Sequence, residues 1–286
     1  MAAVAERFRV AKGAELAIEL DPRTADPVLL DALAANGINR ASLGVQSFDP
    51  VVQRAINRVQ GFEVTAAVVE GLRARGIGRI NLDLLYGLPH QTVANCLSTV
   101  SQVARLRPDR IAVFGYAHLP GFKQQQRLID SAALPAAAER VAQYEAIAAA
   151  LEAEGYARIG LDHFALPHDP MAEAAATGTL RRNFQGYTTD PAEALIGLGA
   201  SAISSLPQGY AQNLVDLKAW RDAIATGRLP TARGVALTGQ DRLARDLIEA
   251  IMCRGEVDLA RVAQAHAVPL AACEPDPERF ARSEER

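Results

Sequence analysis

RASLGVQSFDPVVQRAINR, residues 40–58, and RINLDLLYGLPHQT, residues 79–92, decide the fold. Each opens on a short run rich in Val, Leu and Ile, then passes through Gly, Pro or Asp into a helical pattern. The first predicts a strand over 40–46 and a short helix around 50–57; the second predicts a strand over 79–87 and a helix from Thr92 to Leu106. Strand and helix repeating in this way predict βα units and a parallel sheet.

The same rhythm extends in both directions. AELAIEL (14–20) reads as a strand. Asp26 and Pro27 then supply an N-cap and a first-turn proline, and Asn36-Gly37 ends the helix between them. A helix over 63–75 is closed by Arg73, Arg75 and Gly76, RIAVFGYA (110–117) is a fourth strand, and an Ala-rich helix over 135–154 stops at Gly155. ARIGLDHF (157–164) reads as one further short strand. Beyond Pro167 a stretch rich in Gly, Thr and Asn runs to about residue 210 and reads as functional loop. Helices are expected over 212–226 and 239–253, with VDLARVAQAHAV behind the second giving the start of a helix-turn-helix. CEPDPERFARSEER closes the chain as an expected disordered tail.

A chain of 286 residues, 49% hydrophobic and 22% charged, can bury a full core. Its net charge of −3 argues against nucleic acid or an acidic membrane as partner. No apolar run reaches the ~20 residues of a membrane span, and no basic flank with an apolar core opens the chain, so a cytoplasmic protein is expected. Cys96, Cys253 and Cys273 are few, odd in number and far apart, which excludes a disulfide framework and a C-x2-C knuckle. Each reads as a buried small apolar residue.

In a parallel α/β barrel the site lies at the carboxyl ends of the strands. Glu19 closes the first strand, Gln46 the second, Asp83 sits within the third, and Tyr116 to His118 close the fourth. Four polar closures in order predict a site. His118 and His163 lack a second ligand at metal-binding spacing and read as hydrogen-bonded residues. Tyr116 and His118 are candidate proton donors. Gly197 to Ala202 fits G-x-G-x-x-A, but the apolar run before it is too short for a dinucleotide fold, and close packing beside Ile203 accounts for the glycines better. Leu217 and Trp220 read as helix packing.

Taken together, GINRASLGVQSFDPVVQRAINR, INLDLLYGLPHQT, FGYAHLP, LDHFA and RRNFQGYTT resemble the oxygen-independent coproporphyrinogen III oxidases of the radical S-adenosylmethionine (radical SAM) superfamily, from about Glu15 to Gly255. The resemblance implies an α/β fold: a partial (β/α)6 TIM-like barrel over 1–165 without its first strands, substrate-side loops and a helix over 166–235, and the start of a helical C-terminal domain over 236–270, with 271–286 as the tail. It implies a chain truncated at both ends.

It also implies S-adenosylmethionine as cofactor, with Glu19, Gln46, Arg58, Asp83, Leu85 and Ala117 around one molecule and Phe184, Gln185 and Ile203 around a second. Within that implied site Arg58 suits a carboxylate, Glu19 an amino group and Asp83 ribose hydroxyls. Arg181 and Arg182 are placed to meet propionates of the implied substrate, coproporphyrinogen III. The electron donor is not specified. The family holds a [4Fe-4S] cluster on C-x3-C-x2-C, a triplet this sequence lacks, so the chain alone is expected to bind no cluster and to be inactive. Two other readings follow from the same strings: a haem chaperone of related sequence, and a non-catalytic chain completed by a partner.

Overall fold

The computed structural model describes residues 2–273. The chain divides into two compact units, one over 1–173 and the other from Ala174 onward.

After a single turn, α1 (Ala2–Ala5), the first unit is a six-stranded sheet. Its strands are β1 (Ala17–Leu20), β2 (Arg40–Gln46), β3 (Arg79–Tyr86), β4 (Arg110–Gly115), β5 (Ala157–Ile159) and β6 (His163–Ala165), in the spatial order β1-β2-β3-β4-β6-β5. β1 to β4 run parallel, whereas β6 is antiparallel to both β4 and β5. The helices between them are α2 (Pro27–Ala35), α3 (Pro50–Ala55), α4 (Phe62–Ala74), α5 (Val93–Leu106) and α6 (Ala137–Ala153).

Local chemistry sets their ends. Asp26 accepts from the Leu29 N–H at 2.7 Å with Pro27 behind it, and Thr92 and Asn95 close a reciprocal capping box on α5.

Strand register separates two faces, because side chains alternate along each strand. One row is Leu20, Leu43, Leu82 and Ile111; another is Ile18, Ala41 and Ile80. Both pack into the main core with Leu30 and Leu33 of α2, Leu72 of α4, Val103 of α5 and Leu151 of α6. Burying each such side chain stabilises the fold by about 1.5–3 kcal/mol before conformational entropy is counted. On the opposite face the rows are Glu19, Ser42, Asn81 and Arg110, and Gly44, Asp83, Ala112 and His163. That face is polar.

Several expectations need correction. The first strand starts at Ala17, not Ala14. ARIGLDHF is two strands, since the chain reverses through Gly160 (φ +58°) and folds β6 back against β5. The first unit runs past residue 165 to Glu173 because Asp169, 2% exposed, is held by Arg40 (3.3 Å) and Arg110 (2.8 Å). The interval expected as loop contains α7 (Pro170–Ala176), the hairpin β7 (Arg181–Asn183) and β8 (Gly186–Thr188), and the strands β9 (Ile203–Leu206) and β10 (Gly209–Asn213).

In the second unit β10 lies between β9 and an unanticipated strand, β11 (Thr231–Ala236), in an antiparallel sheet. These strands are polar and solvent-facing, so their hydrogen-bond ladders, not an apolar pattern, define them. The helix expected from 212 starts at Leu217 as α8 (Leu217–Ala225), because Asp216 caps it. Leu217 is 49% exposed, so only Trp220, half-buried, has the expected packing. α9 (Gly239–Arg254) and α10 (Leu259–His266) pair as the sequence indicates. The expected tail is ordered at its start: Leu270–Ala272 is a 3-10 turn and Cys273 is buried against Leu243 and Ala263. Residues 274–286 lie outside the described part.

Candidate functional site

The polar face of the first unit converges at the carboxyl ends of β1 to β3. The register between β2 and β3 slips between Gly44 and Gln46, and Gln46 itself is left-handed (φ +68°). An irregularity of this kind re-aims a side chain at a strand end. Gly44 is where the neighbours meet: a Cβ there would lie 3.0 Å from Gln46 Nε2 and 3.2 Å from Arg58 Nη2. Arg58 reaches back from beyond α3, donating from Nη2 to the Gly44 carbonyl (2.8 Å) and pairing through Nη1 with Asp21 (3.1 Å). Its Nε is buried without a hydrogen-bond partner among the described residues.

Asp21 is the residue that the sequence reading passed over. It follows β1 directly and also holds Arg23 at 2.7 Å. The Arg23 hydrogen bond is the main cause that pulls its carboxyl down to about 2.

Asp83 lies deeper. Its carboxylate accepts from Ser42 (3.0 Å) and from Asn81 Nδ2 (2.7 Å). Burial outweighs these hydrogen bonds and raises its pKa, and the charge of Glu19 pushes the same way. Asn81 Oδ1 is buried and unpartnered among the described residues. Ser42 and Asn81 were legible in principle: both alternate with apolar residues at period two along their strands, on the Asp83 face. Glu19, Gln46, Arg58 and Asp83 thus share one polar face and its strand tips. Leu85 follows at the end of β3, where its carbonyl accepts from Gln91 Nε2 (2.8 Å); the exposed Ala117 beyond β4 accepts from Gln126 Nε2 (2.9 Å).

Tyr116 and His118 form a chain of their own beyond β4. Tyr116 Oη lies 3.1 Å from His118 Nδ1, and His118 Nε2 lies 3.0 Å from Ser131 Oγ. Burial raises the Tyr116 phenol. A phenol, an imidazole and a hydroxyl in series can pass a proton along the row. His163 bonds Asp162 (2.7 Å) and stacks edge-on against Phe114 (5.7 Å).

The second unit holds a cavity of about 530 Å³ lined by Phe184, Gln185, residues 195–198 and residues 201–203. Phe184 and Gln185 form the turn between β7 and β8, and Ile203 opens β9. Phe184 packs edge-on against Tyr210 at 5.0 Å yet remains 55% exposed. Gly197 has no room for a side chain, since a Cβ would lie 2.6 Å from the Ile203 carbonyl oxygen. Asn213 Nδ2 fixes the loop through the carbonyls of Gly197 (3.3 Å) and Gly199 (2.9 Å). Gly197 therefore serves close backbone packing beside Ile203, whereas Gly199 (φ +106°) answers to its backbone conformation. Arg181 pairs with Glu249 (3.3 Å), and Arg182 lies over the Tyr187 ring (5.3 Å).

All three cysteines are buried. Burial pushes the Cys96 thiol up to about 11 and raises that of Cys253. No group of three His, Cys, Asp or Glu side chains able to hold a metal occurs among the described residues.

Residues 1–103 match the sequence model of the Radical SAM superfamily. An oxygen-independent coproporphyrinogen III oxidase of Bradyrhizobium diazoefficiens is 57% identical over 266 residues, which cover 93% of this chain and 59% of the relative. That of Paracoccus denitrificans is 49% identical, over 89% of this chain and 56% of its own. The solved coproporphyrinogen III oxidase of Escherichia coli superposes with a TM-score of 0.89 at 41% identity, covering 94% of this chain and 62% of that one. Over the matched length this chain is similar to that radical SAM lineage. It spans about 60% of the length of the relatives it matches. The fold of the first unit is accordingly part of a radical SAM TIM-like barrel, as the resemblance implied.

Two groups are implied by this kinship. S-adenosylmethionine fits the residues present: Arg58 Nε and Asn81 Oδ1 are buried polar atoms without partners among the described residues, and Gly44 carries no side chain where Gln46 and Arg58 meet. A [4Fe-4S] cluster does not fit, because its thiolate ligands would have to come from three separated, buried cysteines whose thiols resist ionisation in the two cases resolved.

Proposed function

We propose that this chain forms the nucleotide-binding and substrate-side part of an oxygen-independent coproporphyrinogen III oxidase, acting in the cytoplasm on coproporphyrinogen III in porphyrin synthesis. S-adenosylmethionine, when bound and cleaved with one electron from an external reductant, would supply a 5′-deoxyadenosyl radical able to remove hydrogen from a propionate β-carbon, so that carbon dioxide leaves, one electron passes to an acceptor and a vinyl group remains. Arg58 binds the methionyl carboxylate, Glu19 the amino group and Asp83 the ribose diol. Leu85 and Ala117 border the adenine, and Gln46 orients it. Phe184, Gln185 and Ile203 hold a second nucleotide in their own cavity, and Arg181 and Arg182 meet propionates. Tyr116 and His118 exchange a proton with the substrate through the row that ends at Ser131 Oγ.

The observation that carries this reading is the meeting of Gln46 and Arg58 over Gly44 on the face that also bears Asp83 and Glu19. Calorimetric titration with S-adenosylmethionine tests it. Binding by the native chain and its loss in Arg58→Gln and Asp83→Asn are expected; equal binding by all three removes the assignment. The chain by itself is expected to assemble no cluster. Iron and sulfide analysis after anaerobic reconstitution checks this, with about four irons per chain as the contrary result.

The outer edge of β1, which pairs only with β2 among the described strands, favours a second reading in which a partner polypeptide completes the sheet. Size-exclusion chromatography with and without the N-terminal part of a relative separates the two.

A further inference from the structure

Arg140 lies in α6, where its backbone N–H bonds the Ala136 carbonyl at the end of the first turn. A cation near a helix N-terminus is electrostatically unfavourable there, so its placement calls for another reason. Its guanidinium stands over the carboxyl ends of β3 and β4. It lies 5.6 Å from the centroid of the Tyr86 ring, and that ring packs in turn on Tyr144 at 5.4 Å.

Two glycines make the space. A Cβ on Gly87 would collide with Arg140 Nη1 and lie 2.8 Å from its Cζ. A Cβ on Gly115 would lie 3.2 Å from Arg140 Nη2 and 3.0 Å from Tyr86 Oη. Gly87 has φ +81°, a backbone that itself favours glycine, whereas Gly115 has no such demand and is explained by space alone. Arg40, Arg58 and Arg110, on the polar face of the sheet, all meet carboxylates, whereas Arg140 approaches the tips of β3 and β4 from the helix side, beside the core-packed Tyr86. Arg140 has no ion pair among the described residues; the ring is its only side-chain partner there.

A guanidinium stacked on an aromatic face keeps its in-plane N–H fork free, which is the geometry for a two-pronged grip on a carboxylate. Strand tips of a parallel α/β barrel are where ligands bind. We propose that Arg140 is a ligand-binding residue that receives a carboxylate at the ends of β3 and β4, from either a porphyrin propionate or the methionyl group of the nucleotide. This rests on the proposed function for the ligand classes, while the location of the grip stands on the geometry around Tyr86, Gly87 and Gly115.

The test uses the full chain and two probes, titrated separately: coproporphyrin III, the stable oxidised tetracarboxylate, followed by fluorescence, and S-adenosylmethionine, followed by calorimetry. Arg140→Gln is expected to weaken one of the two by about tenfold, with Arg140→Lys intermediate because it keeps the charge and loses the fork. Arg105→Gln provides the control: Arg105 also stacks on a ring, that of Phe62 at 4.7 Å, but on α5. It should bind both probes as the native chain does. A porphyrin-only loss assigns the propionate, and a nucleotide-only loss moves the methionyl carboxylate from Arg58 to Arg140 and corrects that part of the proposed function. Gly115→Ala, which crowds the guanidinium from the opposite side, should lower affinity for the same probe. If the native chain binds a probe and Arg140→Gln binds it equally well with an unchanged melting midpoint, the inference is wrong while the proposed function stands. If the native chain binds neither, both fall together.

Discussion

The polar face of the first unit and the cavity of the second are built by opposite means. On the first, the arginines are paired and the buried carboxylate is hydrogen-bonded: Arg58 with Asp21, Arg40 and Arg110 with Asp169, and Asp83 accepting from Ser42 and Asn81. Side chains held in this way have little freedom left, which suits a site that must position a polar ligand before chemistry begins. The second is shaped by backbone approach at Gly197 and walled by Phe184, Ile196 and Leu198, each more than half exposed. Shape there depends on main-chain packing, and affinity on apolar contact. The first region therefore presents fixed polar groups at its strand tips, and the second an exposed apolar wall.

This contrast breaks first at its strongest pair. Asp169→Ala leaves the buried Arg110 guanidinium without its carboxylate and Arg40 with Glu15 alone (2.8 Å), and should destabilise the chain by about 3–5 kcal/mol, measured as the shift in the urea midpoint. A loss below about 1 kcal/mol would mean that paired charge is not what holds the polar face together. In the cavity the equivalent insult is steric. Gly197→Ala forces a methyl against the Ile203 backbone and should cost about 1–3 kcal/mol, with earlier proteolytic cleavage in residues 190–215 and no change in nucleotide binding by the first unit.

Asp83 sharpens the comparison because burial, not pairing, dominates it. A carboxyl whose folded pKa is raised opposes folding once pH exceeds its unfolded value. Asp83→Asn should therefore raise stability at pH 7 by about 1 kcal/mol while abolishing nucleotide binding, the trade expected where function is kept at the expense of stability. A variant that loses both would place Asp83 among structural residues.

The smallest effect belongs to Asp21. Its folded pKa of about 2 lies below the unfolded 3.8, so its contribution is fully present above 3.8 and is lost as pH falls through about 2. Asp21 is open enough to solvent that the gain is below about 1 kcal/mol. Comparing acid unfolding of the native chain with that of Asp21→Asn isolates it: the variant should show a shallower slope in that window.

The strand and helix order of the first unit was written in period. Leu43 and Leu82 alternate with polar residues, Asp26-Pro27 and Thr92 mark helix starts, and Gly155 a helix end, so local rules sufficed. The second unit was much less legible, because β9, β10 and β11 carry Ser, Gln, Asn and Arg at positions where no apolar alternation announces a strand. The β9–β10 hairpin turns through only residues 207 and 208 yet shows no apolar alternation, and β10 meets β11 only across α8, a long-range hydrogen-bonding decision. Among the site residues, Glu19, Gln46 and Asp83 stood out as polar closures of apolar runs. Arg140 did not, since a single Arg in an Ala-rich helix has the look of a solvated charge until Tyr86, Gly87 and Gly115 are brought beneath it.

By itself, then, the sequence determined the βα rhythm, the polar strand tips and the lack of a thiolate triplet, since each depends on residue type and on spacing within a few turns. Tertiary structure alone decided that Asp21 takes Arg58, that Asp169 fastens the end of the first unit, and that Arg140 meets no carboxylate among the described residues. Ion pairing inside a fold is settled by which groups the packed backbone brings within reach, and residues more than a hundred positions apart, such as Arg40 and Asp169, meet only after the sheet has formed.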